Sequence, residues 1–358
     1  MGNFSCFFVW EQHKLGDCLT VNSGKDYKSL NRGNIPVYGT GGYMLSVDKT
    51  LSKKDAIGIG RKGTIDHPQL LKAPFWTVDT LFWNVPKNSY DIYFLYSVFQ
   101  KIEWKKYDES TGLPSLSKTT INNIKVNTTS YNEQNKIGQI IKLIDHAKFL
   151  QQRKIKILSK IEKTLLNSLI NFQTKDKIKL SELISISKCS IDPQNTPKTL
   201  YMEYSMPAYD SNKKPNKVYG VAMHSTRLKI NEPVILFNKL NVRKKRIWNI
   251  KKVPQNSVSS AEFIPLKAQT IYQDYLYYAL NTDYVLYKAI SLSTGSSNSQ
   301  KRIVPKDLLT MKIPVPNIQQ QKNIASLLDR YDSEIKNYKK KVVFLVKLKK
   351  FLLQNIFI

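Results

Sequence analysis

The chain repeats itself, and the repeat limits what it can fold into. Sliding Tyr131–Phe172 along the sequence lays Glu133–Asp145 (EQNKIGQIIKLID) over Gln320–Asp332 (QQKNIASLLDRYD). Gln134 falls on Gln321, Ile137 on Ile324, Asp145 on Asp332, Leu158 on Leu345 and Leu165 on Leu352, an offset of 187 positions throughout. The same offset runs backwards and lays Ile121, Ile124 and Val126 on Leu308, Met311 and Ile313. Farther upstream HKLGD (His13–Asp17) resembles IKLSE (Ile178–Glu182) at a shorter offset of 165. Two copies of one supersecondary unit, with insertions of different length between matched ends, account for both offsets.

Both repeated segments read as long helices. In the first, apolar residues recur every seven positions through Ile137, Ile144, Gln151, Leu158, Leu165 and Phe172, flanked by Ile140, Ala147 and Ile161 and by Ile141, Ile155 and Leu169. In the second the ladder is Ile324, Tyr331, Tyr338, Leu345 and Leu352, flanked by Leu327 and Leu348 and by Leu328, Ile335, Val342 and Ile356. A seven-residue period held over several heptads predicts a coiled-coil seam. The polar breaks, Gln151 with Lys154 and Tyr338 with Lys341, fall at matching places, as a fixed register between partner helices requires. About 40 residues at 1.5 Å each give helices of about 60 Å, close to two turns of B-DNA at ~34 Å per turn.

The remaining stretches are rich in Tyr, Val, Ile, Thr and Gly with Pro and Asn punctuation, the pattern of mixed strand-and-loop domains. Strands are expected at Ile35–Gly39, Ala56–Gly60, Val78–Trp83, Pro233–Phe237 and Ser260–Leu266, with short helices at Tyr90–Lys101 and Asp274–Leu280. The expected fold is α+β. Two mixed α/β domains (1–130 and 173–316) alternate with two long helices (131–172 and 317–358) that pair as an antiparallel coiled coil in a pseudo-two-fold repeat.

Charge narrows the function. Lys and Arg number 56 against 27 Asp and Glu, a formal net charge of +29. Such a field attracts polyanions, nucleic acid first, with a membrane surface or an acidic protein as alternatives. The three cysteines, Cys6, Cys18 and Cys189, form no disulfide or zinc pattern and fit a reducing cytoplasm. The apolar stretch at the start is too short for a signal peptide, and no apolar run approaches the roughly 20 residues that span a bilayer.

The order and duplication of these segments resemble the specificity (S) subunit of Type I restriction-modification enzymes along essentially the whole chain. In the first half the resemblance rests on LGDCLTVNSGK (Leu15–Lys25), IPVYGTGG (Ile35–Gly42), IGRKGTID (Ile59–Asp66) and GLPSLSKTTINNIKV (Gly112–Val126). In the second it rests on MPAYD (Met206–Asp210), ILFNKLN (Ile235–Asn241), GSSNSQKRI (Gly295–Ile303) and IPVPNIQQQKNIASLLD (Ile313–Asp329). One departure is that Glu133–Gln134 lacks the prolines that precede the second copy at Pro314 and Pro316. The resemblance implies two target-recognition domains, each reading half of a split, asymmetric double-stranded DNA sequence. It implies that the paired helices act as a ruler and dock two methyltransferase (M) subunits, which recruit the restriction and translocase (R) subunits.

Base-edge contacts specify sequence and phosphate contacts position the reader. The candidates in the first domain are Tyr38 and Thr40 in a Gly-rich loop, Arg61, Lys62 and Thr64 after a strand, and Lys118. In the second they are Asn238, Lys239 and Asn241, the cations Arg243, Lys244 and Arg246, and the polar loop Asn298, Gln300, Lys301 and Arg302. Arg can grip guanine and Asn adenine in bidentate fashion. Taken singly, each charge run also fits a solvated surface.

No catalytic constellation stands out. No Walker A sequence and no Asn-Pro-Pro-Tyr-like tetrapeptide occurs, and His13, His67, His146 and His224 lack ligand spacing. Asp91 with Glu103 and Lys105 is the one pairing that a magnesium nuclease could use. A non-catalytic DNA reader without cofactor or metal is therefore the expectation. A stand-alone endonuclease and an RNA-binding or coiled-coil scaffold are the alternatives.

Overall fold

The computed structural model describes residues 10–171, 177–187, 189–297 and 299–356. Its contacts group the chain into two units, Met1–Arg153 with Tyr338–Ile358, and Lys154–Asn337. Each long helix therefore contributes its two ends to different units.

In unit 1 the chain runs β1 (Glu11–Lys14), α1 (Leu15–Cys18), β2 (Leu19–Ser23), β3 (Arg32–Gly39), β4 (Gly42–Val47), β5 (Ala56–Gly60) and β6 (Gln69–Leu71). It continues through β7 (Trp76–Thr77), β8 (Leu81–Pro86), α2 (Ile92–Lys101), α3 (Lys118–Asn123) and β9 (Lys125–Thr128) into the long helix α4 (Tyr131–Asn171). β1 pairs with β9, a four-stranded sheet has the order β2-β8-β5-β6, and β4-β3-β7 form a third sheet.

Unit 2 contains β10 (Lys177–Lys179), α5 (Leu180–Leu183), β11 (Ile184–Ile186), β12 (Ser190–Ile191), β13 (Leu200–Tyr204), α6 (Met206–Asn212), β14 (Asn216–Tyr219) and β15 (Arg227–Lys229). Then come β16 (Val234–Asn238), β17 (Ile247–Ile250), β18 (Ser257–Ser260), β19 (Phe263–Ala268), α7 (Gln273–Leu280), α8 (Asp283–Ser291), α9 (Pro305–Thr310), β20 (Lys312–Pro314) and the long helix α10 (Ile318–Ile356). β10 pairs with β20, and β11-β19-β16-β17 form a four-stranded sheet. These two sheets reproduce the strand order of β1-β9 and β2-β8-β5-β6. The third sheet does not: it has five strands, β12-β15-β18-β13-β14, in place of three. The copies thus share a frame and differ in the sheet inserted into it.

The shared frame follows from buried apolar positions that the repeat matches. Leu15, Ile121, Ile124 and Val126 lie in the core of unit 1, and Leu180, Leu308, Met311 and Ile313 lie in the core of unit 2. The Leu15 N–H donates to the Ile124 carbonyl at 2.9 Å and the Leu180 N–H to Met311 at 2.8 Å, so the two repeat offsets meet in one duplicated bond.

The start of each long helix is built alike. Ser130 with Glu133, and Asn317 with Gln320, hold N-cap and N3 places; the cap oxygens accept from the N3 N–H at 3.4 and 2.9 Å. One position on, Gln134 and Gln321 are 2% and 3% exposed. The Gln134 amide donates to the Thr129 carbonyl at 2.7 Å, and its oxygen accepts from the Asp91 N–H at the head of α2, 3.1 Å away. The Gln321 amide likewise donates to Pro316, and its oxygen accepts from the Tyr272 N–H at the head of α7, both at 2.8 Å. Each glutamine ties three segments together. Buried polar groups demand such pairing.

The long helices pack antiparallel. In unit 1 Lys349 on α10 reaches Asp145 on α4 at 2.5 Å, and Ile137 packs on the same core as Leu353 and Ile356. In unit 2 Lys154 on α4 stands 4.0 Å from Glu334 on α10, and Ile170 shares a core with Ile324 and Leu328. The predicted seam holds: Ile144, Leu158 and Ile324 are buried. One predicted flank is turned outward, since Ile140 and Ile161 are exposed, and Phe172 lies outside the described residues.

Candidate nucleic-acid interface

The first-domain candidates collect around the turn that follows β5. A Cβ on Gly60 would collide with the Thr64 carbonyl, so the chain can fold back here only with glycine. Gly63 sits at φ +85°, and its N–H donates to the Pro114 carbonyl at 2.8 Å. The Leu116 N–H donates to the Arg61 carbonyl at 2.9 Å, and Lys62 bridges to Ser115. The loop 61–64 is thereby zipped to the strand-like segment 114–116, which runs into α3 with Lys118 in its first turn. Asp108 steadies that second loop: its Oδ1 accepts from the Ser110 and Ser115 N–H groups at 3.0 and 2.9 Å. The Ser115 and Ser110 hydrogen bonds hold its carboxyl below the ordinary carboxylate range. Arg61, Lys62, Thr64 and Lys118 are all exposed. Among the described residues none of the three cations has an ion-pair partner, although the Arg61 guanidinium lies 5.9 Å from the Phe82 ring centre.

Tyr38 and Thr40 reach the same end of the unit by another route. Tyr38 lies near the end of β3 and Thr40 in the β3–β4 hairpin turn, and the Gln69 amide, at the start of β6, donates to the Gly39 and Thr40 carbonyls at 2.9 and 3.0 Å. Gln69 is itself the register partner of Gly58 near the end of β5. Tyr38 is half-buried against Tyr43, which is 63% exposed.

The second-domain candidates form the same arrangement. The Asn241 N–H donates to the Lys301 carbonyl at 2.8 Å, the Ile303 N–H to the Lys239 carbonyl at 3.0 Å, and Leu240 bridges to Arg302. These contacts match the Gly63–Pro114, Leu116–Arg61 and Lys62–Ser115 contacts of the first domain one for one. Asn241 even takes the left-handed conformation of Gly63, at φ +53°, which Asn tolerates better than most residues. The two candidate clusters are the same loop pair in two copies.

The side chains on the loops differ. Arg243, Lys244 and Gln300 are exposed; Lys239, Asn241 and Lys301 are half-buried. Arg302 is exposed, with Glu262 accepting from Nη2 at 2.8 Å. Asn298 lies outside the described residues.

Two candidates are corrected by their surroundings. Asn238 is buried at the end of β16, with Nδ2 donating to the Leu240 carbonyl at 2.5 Å; it shapes the loop rather than facing solvent. Arg246 is also buried, and its guanidinium forks onto Asp210, Nε to Oδ1 at 2.8 Å and Nη2 to Oδ2 at 2.6 Å. Those hydrogen bonds hold the Asp210 carboxyl below its usual range. A buried fork already closed on a carboxylate does not present itself to a base edge or phosphate.

The residues that a magnesium nuclease could use serve separate structural ends. Asp91 caps α2 by accepting from the Phe94 N–H at 2.8 Å, Glu103 pairs with Lys106 at 2.6 Å, and Lys105 pairs with Asp66 at 2.9 Å. Among the described residues no group of three His, Cys, Asp or Glu side chains is placed to hold a metal ion. Nor is any helix there long and apolar enough to cross a membrane. Sequence reasoning missed Gln69, Asp108 and Asp210, whose partners lie far away in the chain or on another loop. It aligned Gln134 with Gln321 without seeing their role, although two glutamines at one offset inside an apolar ladder were a usable signal.

The family model described as "Type I restriction modification DNA specificity domain" matches residues 9–170 and again 173–343. The Type I restriction enzyme MjaVIII specificity subunit of Methanocaldococcus jannaschii is 25% identical over 298 residues, covering 73% of this chain and 68% of that protein. The crystal structure of the Type-I restriction-modification system S subunit from M. genitalium superposes with a TM-score of 0.74 at 15% identity, over 100% of this chain and 98% of that one. A chain from a study described as "Structural basis underlying complex assembly and conformational transition of the type I R-M system" gives 0.54 at 14% identity, over 97% of both chains. The two matches tile the chain, and the duplicated frame repeats once in each. This chain belongs to the Type I restriction-modification DNA specificity family, whose domain it carries twice.

Proposed function

We propose that the chain reads a bipartite, asymmetric double-stranded DNA target, one half through each loop pair, and carries no catalytic chemistry of its own. The observation that carries this reading is the duplicated backbone with unlike side chains. The first copy presents Arg61, Lys62, Thr64 and Lys118; the second presents Lys239, Asn241, Arg243, Lys244, Gln300, Lys301 and Arg302. A common frame aims both readers in the same way relative to their own helix ends, while different donors select different bases. The cations supply phosphate contacts that position the reader.

The long helices act as the spacer between the half-sites and as the docking surface for two methyltransferase subunits, through which restriction subunits join. The cytoplasm, where the DNA and these partners meet, is the working compartment. Long-read methylation mapping of a host that carries this chain with its methyltransferase tests the reading. A split motif should appear with the chain and be missing when the methyltransferase is expressed alone. Magnesium-dependent cleavage by the purified chain would instead support an endonuclease.

A further inference from the structure

The pseudo-symmetry supplies an internal control for the helix surfaces, because each position has a mate 187 residues away. In unit 1 the helices expose Leu143, Phe149, Leu150, Val343, Phe344, Val346 and Phe351, besides Tyr131 and Ile140, whereas the unit 2 helices expose three large apolar residues, Ile157, Ile161 and Ile318. The mates of Leu143, Phe149, Leu150, Val343, Val346 and Phe351 on the unit 2 helices are Arg330, Lys336, Asn337, Lys156, Ser159 and Thr164, all exposed and polar, while Phe344 has an apolar mate, Ile157. The Asp145–Lys349 contact sets a register in which Leu143 comes level with Phe351 and Leu150 with Phe344. Each unit also has a cleft along α10, and the two differ in kind. The cleft of unit 1, about 500 Å³, has Ile144, Leu345, Val346 and Leu353 with Lys148 and Lys350 among its lining. That of unit 2, about 570 Å³, is lined by Tyr272 and otherwise by Lys, Ser, Asp, Arg, Glu and Asn.

Charge follows the same division. On the unit 1 helices Lys136, Lys142, Lys148, Arg153 and six lysines from Lys339 to Lys350 face only two acids, Glu133 and Asp145. On the unit 2 helices seven Lys and Arg face four acids. A second copy of this chain would bring the same excess of lysine to the unit 1 surface and be repelled. The surface fits a helix whose apolar side chains are flanked by carboxylates, the helix-in-groove mode with acidic edges.

We infer that the two partner-docking surfaces are unequal. The unit 1 helix pair takes an apolar, acid-edged helix of one methyltransferase subunit first, and the more polar unit 2 pair takes the second subunit more weakly. This rests on the assembly proposed above and goes beyond it, since a symmetric scaffold would fill both sites alike.

Native mass spectrometry of the full chain titrated with its methyltransferase subunit tests the inference. A 1:1 complex should accumulate before the 2:1 complex. Leu143→Arg with Val346→Ser, which writes unit 2 residues into unit 1, should weaken the tighter site by about tenfold or more and leave the weaker one unchanged. Both positions are exposed, and circular dichroism checks that the helices persist. The reverse pair, Arg330→Leu with Asn337→Leu, should tighten the weaker site. Two equal dissociation constants, or equal weakening of both sites, would overturn the inference while leaving the assembly reading intact. No methyltransferase binding by the parent chain would overturn the assembly reading itself. Loss of DNA affinity by Leu143→Arg in the absence of methyltransferase would make the surface a DNA contact. A parent dimer dissolved by the same change would make it a self-association face. Either result counts against the inference.

Discussion

Replacing Gln321 by Ala removes a clamp that joins three segments. Its amide donates to Pro316 and its oxygen accepts from the Tyr272 N–H, each at 2.8 Å, with the side chain 3% exposed. Truncation leaves a carbonyl and a helix-terminal N–H facing a void, and an unpaired buried polar group costs roughly 1–3 kcal/mol. Two such groups, with the poorer packing around them, give about 3 kcal/mol. With a urea slope of about 2–3 kcal/mol/M, the midpoint should fall by about 1 M. Gln321→Leu restores volume but neither bond, so it should recover little. Gln321→Glu keeps an acceptor for Tyr272 but sets a carboxylate against the Pro316 carbonyl, and should be no better. Urea unfolding, with hydrogen exchange across Tyr272–Leu280 to localise the opening, measures all three. Gln134→Ala should show the same loss at the head of α2, because its two bonds, 2.7 and 3.1 Å, are the matching pair. A Gln321→Ala protein within about 0.5 kcal/mol of the parent, a typical value for an ordinary surface change, would mean that the two bonds contribute no net stability.

Neutralising Arg243 and Lys244 together should lower the log–log salt slope of DNA binding by up to about 1.8, since each phosphate left without its cation removes about 0.9. Arg246→Ala should leave that slope unchanged and instead destabilise unit 2, because its fork is closed on Asp210. The Asp210 carboxyl, held low by Arg246, contributes stability above the ordinary carboxylate pKa and loses it as the pH falls through its depressed value. Arg246→Ala should therefore flatten the acid limb of a stability–pH curve. Lys349→Met should destabilise the unit 1 helix pair by leaving Asp145 short of its closest partner. Adding Asp145→Leu should restore most of the loss, as measured by thermal unfolding.

The repeat is legible in the sequence because matched apolar positions must lie in matched cores. Leu15 with Leu180 and Ile124 with Met311 are such positions, and the bonds Leu15–Ile124 and Leu180–Met311 join a position of one offset to a position of the other within each copy. Strands of strong local pattern are also legible: Ala56–Gly60 is β5 to the residue, and Pro233–Phe237 is β16 displaced by one. The expectation at Val78–Trp83 starts too early, because residues 78–80 turn against Tyr38 and Leu81 before β8 begins at Leu81. Burial of charge is not legible. Arg243 and Arg246 look alike in a row of cations, and only the position of Asp210 on α6 separates them. Nor can the sequence reveal that segments 61–63 and 114–116 form one surface, since that is a pairing across two elements and a long loop. The duplicated geometry identifies the loop pair as a unit, and it is the part of the candidate site that composition could not have supplied.

The most direct test of the central claim is methylation mapping of two loop variants beside the parent chain, each expressed with the methyltransferase. Arg61→Ala with Lys62→Ala should degrade or alter one half of a split motif. Arg243→Ala with Lys244→Ala should affect only the other half, with the spacer unchanged in both. A variant that alters both halves, or a motif that keeps both halves intact in both variants, would contradict the assignment of one half-site to each loop pair.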